Sequence, residues 1–90
     1  MTGFKDEYAR MMQDFMQGVL PTTGFAAAYL DKFKNETREL GEEEFEILDE
    51  LFGDVDAYTP DTSLIAQNPN FYIDEVQLRE RVAMAIAKLK

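Results

Sequence analysis

The side chains in this sequence that could do chemistry are almost all carboxylates: eighteen aspartates and glutamates stand against nine lysines and arginines, and histidine and cysteine are both absent. Without histidine there is no imidazole base for a serine triad, no His-ligated zinc and no acid–base group of ordinary near-neutral pKa. Without cysteine there is no disulfide framework, thiolate metal site or cysteine nucleophile, a usage that suits a reducing cytosol. What remains for catalysis is pairs of carboxylates. Such pairs are abundant here, and no spacing selects one pair as acid and base over any other. The expectation is a protein that is not an enzyme and carries no metal or cofactor.

Two short motifs test that expectation. Asp54-Val55-Asp56 has the alternating carboxylates that open a calcium-binding loop, but with Asp54 counted as the first position Thr59 stands where the loop needs glycine and Ile65 where it needs a bidentate glutamate. Asp61-Thr62-Ser63-Leu64 approximates the Asp-Ser-Leu motif of small acidic acyl carriers, whose serine holds the cofactor. Here a threonine intervenes, and Ser63 lies about two thirds along the chain in an expected loop. An acyl-carrier-like protein modified at Ser63 is the alternative reading. None of the five glycines builds a phosphate loop followed by lysine.

The carboxylates are unevenly placed. Residues 1–38 balance five acids with five bases, residues 39–78 hold twelve acids and no lysine or arginine, and the remainder returns to a net positive charge, within a formal total of -9. A base-free stretch of this length repels itself and costs stability. It is either a solvated face or a surface for a basic partner, since clustered like charge speeds encounter and rejects other acidic molecules. Direct binding to nucleic acid or to an anionic membrane is disfavoured by the same sign. A general acidic mimic of nucleic acid shares this argument and differs only in partner.

Ninety residues, 46% apolar, make one domain with one core, expected to span residues 1–90. Phe4, Tyr8, Met11, Met12, Phe15 and Val19 recur at helical intervals, with Thr2 placed to cap the helix and Gly18 and Pro21 to close it. Thr22 or Thr23 is the expected N-cap of a second helix bearing Phe25, Tyr29 and Phe33, which fades near Asn35. From Glu42, a third helix places Phe45, Leu48, Leu51, Phe52 and Val55 on one arc and Glu43, Glu46, Glu50 and Asp54 on the other side, with Asp49 and Asp56 along a border. Glu42 to Glu44 suit the positive end of the helix dipole; Asp54 and Asp56 sit at the opposed end, where their charge has no such explanation. Thr59-Pro60-Asp61 ends this helix, and an ordered loop with Leu64, Ile65, Phe71 and Tyr72 as anchors follows. The last helix opens with a capping box of Asp74 and Gln77 and an Ile73–Leu78 staple, continues through Leu78, Val82, Ala85, Ile86 and Leu89, and ends among Lys88 and Lys90. Four such stripes predict an all-α fold, an antiparallel four-helix bundle.

Met1 to Glu7 carries charges where a signal peptide needs an apolar run, so a cytoplasmic location is expected, and the Asn35-Glu36-Thr37 sequon then has no role. Self-repulsion favours a monomer before any complex forms.

The run Phe15-Met16-Gln17-Gly18 with Phe25 and Tyr29, then Leu51-Phe52, Asp56, Tyr58, Pro60-Asp61, Tyr72 and the closing Leu78 to Leu89 helix, resembles the colicin D immunity family of bacterial self-protection proteins. The resemblance implies a small acidic helical inhibitor that binds the nuclease domain of a cognate toxin, including RNases acting on tRNA, and covers its basic substrate cleft. Matched position by position, Asp56 and Asp61 are the implied toxin contacts. Asp54, Glu50 and Glu46 extend that face by helical geometry alone, and Tyr58 has an aromatic precedent with either a structural or an interfacial role. Gly53 and Thr59 depart from the larger or charged residues such a surface can carry.

Overall fold

The computed structural model describes residues 4–37 and 39–89; the expected cap Thr2, the side chain of Phe4 and Lys90 lie outside the described residues. Five helices run in order: α1 (Phe4–Met16), α2 (Thr22–Lys34), α3 (Glu42–Ala57), α4 (Thr62–Gln67) and α5 (Glu75–Leu89). No strand forms among the described residues, so the all-α expectation holds, with a fifth helix where four were expected. The segment read as a loop after Pro60 contains α4, whose six residues are too few to show a helical period.

Each long helix buries residues one turn apart: Tyr8, Met12 and Phe15 on α1, Phe25 and Tyr29 on α2, Leu48, Leu51 and Val55 on α3, and Leu78, Val82, Ala85 and Leu89 on α5. These stripes meet in one core. Helix α1 packs on α2 and α5, and α3 packs on the same two. The α1–α2 seam is aromatic: Phe15 and Phe25 stack with ring centroids 4.4 Å apart, and Tyr8 meets Tyr29 edge-on at 5.8 Å. Lys32 crosses this seam to Glu7 at 2.8 Å while its ammonium lies 4.9 Å from the Tyr8 ring centre.

Helix α1 ends earlier than the apolar spacing implied. Gly18 adopts φ +82°, its N–H bonds to the Phe15 carbonyl and the Val19 N–H to the Asp14 carbonyl, the paired pattern of a left-handed helix stop. Val19, expected on the buried stripe, therefore leaves the helix and is 67% exposed. Neither Thr22 nor Thr23 caps α2. Pro21 occupies that position, its carbonyl taking the Phe25 N–H, and the buried Thr22 hydroxyl instead donates to the Glu75 carboxylate at the start of α5. The capping box of α5 forms reciprocally, with the Gln77 N–H on the Asp74 carboxylate at 2.8 Å and the Asp74 N–H on the Gln77 amide oxygen at 3.1 Å.

The chain between α3 and α5 is pinched at its base. Thr59 N–H donates to the Ile73 carbonyl and Ile73 N–H to the Ala57 carbonyl, both at 3.1 Å, so α4 rides on a closed excursion. Leu64, Ile65 and Tyr72 are half-buried there, as anchors should be; Phe71 is not an anchor and stands 68% exposed.

The buried Tyr29 hydroxyl donates to the Leu48 carbonyl at 2.7 Å, joining α2 to α3. Burial first, then the neighbouring Tyr8 and Asp49, push its pKa far above the ordinary tyrosine range. In the unfolded chain the same phenol ionises near pH ~10. Its contribution is thus intact below about pH 10 and is lost as pH rises beyond it, because the unfolded state then binds fewer protons. Tyr29→Phe is expected to cost about 1 kcal/mol at neutral pH and to flatten the alkaline fall in denaturation midpoint; an equally steep fall in the variant would place the effect elsewhere.

Candidate functional site

Helix α3 carries the carboxylates and, like the whole stretch around it, no basic residue. Its buried residues turn Glu42, Glu43, Glu46, Asp49, Glu50 and Asp56 outward, and all six are exposed. The geometry follows from sequence: acids at these positions fall opposite Leu48, Leu51 and Val55 at about 100° per residue. The first turn gains from the dipole at its N-terminus, and the last does not.

The six residues expected at the contact surface do not form one patch. Glu46 lies on the outward face. Glu50 and Asp54 turn towards α5, where they line a cleft with Arg81 and Lys88, and the Lys88 ammonium lies 3.8 Å from a Glu50 oxygen. Partial burial raises the Asp54 pKa, an effect opposed by the Arg81 guanidinium, reinforced by Glu50 and opposed again by Lys88. Asp56 is about 160° around the helix from Asp54. It lines a groove on the α2 side with Leu30, Asp31, Lys34 and Phe52. The two carboxylates of the incomplete calcium pattern therefore diverge, and among the described residues no cluster suits a metal ion.

Tyr58 is half-buried at the end of α3, within the pinch to Ile73, and its phenol pKa is raised by burial and then by Glu75. Asp61 caps α4: one carboxylate oxygen accepts from the Ser63 N–H at 2.9 Å and the Leu64 N–H at 3.4 Å. Ser63, expected in a loop, is exposed in the first turn of that short helix. Two neighbours of the expected set escaped the sequence reading. Phe45, assigned to the core arc, is 46% exposed, and Asp49 stands beside it one turn on. The border position of Asp49 was the available signal; the exposure of Phe45 depends on where α2 ends.

The cap gives Asp61 a structural role distinct from its charge. Asp61→Ala is expected to cost about 1 kcal/mol and loosen α4, whereas Asp61→Asn keeps the cap and removes the charge. Amide exchange at Ser63 and Leu64 distinguishes the two variants. Equal exchange in the two variants would mean the cap contributes nothing.

Compared with known families, residues 4–89 match the one described as bacterial self-protective colicin-like immunity. The chain belongs to that family. No curated protein and no solved structure matches it significantly. As an immunity protein it is an inhibitor and not an enzyme, and its partner is a cognate colicin-like toxin. The family match spans both the α3 face and the α4 excursion, so the carboxylates belong to the inhibitor body itself. Among the described residues of this immunity protein, no helix is long and apolar enough to cross a membrane.

Proposed function

We propose that this immunity protein inhibits a toxin of the colicin D type, an RNase acting on tRNA, by laying the acidic face of α3 over the basic substrate cleft of its nuclease domain. The observation that carries this reading is the row of six exposed carboxylates on one helix with no base in that helix. Carboxylates occupy the places of RNA phosphates and so compete for the same cations. Asp56 and Glu46 contribute exposed charge, Glu50 and Asp54 add charge shared with Lys88 and Arg81, and Asp61 and Tyr58 make a separate contact on the excursion that bears α4. The four long helices act as an antiparallel bundle that holds α3 rigid, in a cytoplasmic protein that is a monomer until it meets the toxin.

Steering by such a face predicts association near ~10⁸ M⁻¹ s⁻¹ at low salt, towards the steered rather than the neutral regime. Raising ionic strength to about 0.5 M is expected to slow association at least tenfold, with a smaller change in dissociation. Stopped-flow mixing with the nuclease domain measures both. A salt-independent association rate would remove steering from the mechanism.

A further inference from the structure

The two borders of α3 differ in what faces them. On the α5 side, Glu50 pairs with Lys88, and Arg81 acts on Asp54. On the α2 side, the described residues that line the groove, Leu30, Asp31, Lys34, Phe52 and Asp56, include one basic side chain and two carboxylates, and Asp49 stands one turn before Phe52 on α3. The groove's Phe52 ring belongs to an aromatic strip. Phe33 of α2 lies 5.9 Å from the Phe45 ring centre and 5.3 Å from that of Phe52, and this strip runs from the half-buried Phe52 to Phe45, which is 46% exposed. Residues 45, 49, 52 and 56 are three and four apart, so Asp49 and Asp56 flank the two rings along one edge of the helix.

An apolar centre with a charged rim is the make-up of a protein interface that holds its partner after encounter. Exposed aromatic faces beside carboxylates suit a cation with an apolar stem. We infer that the toxin is anchored in this α2–α3 groove, with an arginine or lysine of its basic face lying over Phe45 and Phe52 and its charge against Asp49 and Asp56. The anchor rests on the proposed inhibition of a basic nuclease domain. A second copy of this chain would bring another net charge of -9 to the same rim and is repelled.

The test uses the full chain and the nuclease domain of its cognate toxin. Phe45→Ala is expected to raise the dissociation rate about 10–100-fold and to change association by less than about threefold, as for loss of a central aromatic anchor. The double variant Asp49→Asn, Asp56→Asn is expected to slow association about tenfold, against about threefold or less for Glu50→Gln, Asp54→Asn on the α5 side. Circular dichroism verifies folding of each. Lys34→Ala, at an exposed position that removes the groove's own cation, is expected to speed association about twofold and gives a readout independent of the aromatic change. Unchanged dissociation with a folded Phe45→Ala, a larger loss from the α5-side pair, or a dimer formed through the groove would each overturn the anchor while leaving nuclease inhibition standing. A native chain that binds no nuclease domain would remove both.

Discussion

Phe25→Ala is expected to lower stability by about 3–5 kcal/mol, a large part of the ~5–15 kcal/mol available to a small domain. Phe25 is fully buried, stacks on Phe15 at 4.4 Å and 10°, and leans on Tyr29 at 5.8 Å. Truncation removes the apolar burial, both ring contacts and the filler between α1 and α2 at once. The cavity left cannot close easily, because Tyr29 is tied to the Leu48 carbonyl and Phe15 lies beneath the Arg79 guanidinium, 4.6 Å from its ring centre. Urea denaturation is expected to show a lower midpoint with an unchanged slope. Phe71→Ala, at a ring 68% exposed, is the matched comparison and should move stability by no more than about 0.5 kcal/mol. If the two variants unfolded at the same urea concentration, the aromatic α1–α2 seam would not be what holds this end of the core.

Features decided across the fold could not be read from the sequence, and those decided by residues close in sequence mostly could, Val19 and the cap of α4 being local exceptions. Asp74 and Gln77 cap α5 as expected because both halves of the box lie within one turn. Thr22 looked equally suited to a cap, but its hydroxyl finds Glu75 on another helix, a partner no local pattern shows. Val19 kept the α1 spacing in the sequence and lost it in space because Gly18 turns left-handed first. Asp61-Thr62-Ser63 contained an N-cap signal that the proline before it and the shortness of the helix after it obscured. On the acidic helix, the division into outward acids and inward Leu48, Leu51 and Val55 followed from periodicity alone. Which border faces Lys88 and which faces Lys34 depends on the packing of α5 and α2, so the helical wheel separated Asp54 from Asp56 without showing the neighbours of either.

Replacing Glu46, Asp49 and Asp56 together by lysine is expected to slow association with the nuclease domain from ~10⁸ to about 10⁵–10⁶ M⁻¹ s⁻¹ and to abolish protection of toxin-exposed cells. Each change moves the formal charge by two units, so the three take the chain from -9 to -3. All three positions are exposed, none forms an ion pair among the described contacts, and their side chains face away from the core. Folding should therefore survive. Stability is in fact expected to rise slightly, because the substitutions relieve repulsion along α3 and place a cation at position 56, near the negative end of the helix dipole, for about 0.3–1 kcal/mol. That opposition between the two readouts is the decisive feature. A face retained only for solvation would gain stability on reversal and lose nothing else, whereas a toxin-binding face would gain stability and lose protection. Thermal denaturation and a protection assay on the same triple variant measure the two sides, and full protection by the more stable variant would show that α3 is not the inhibitory surface.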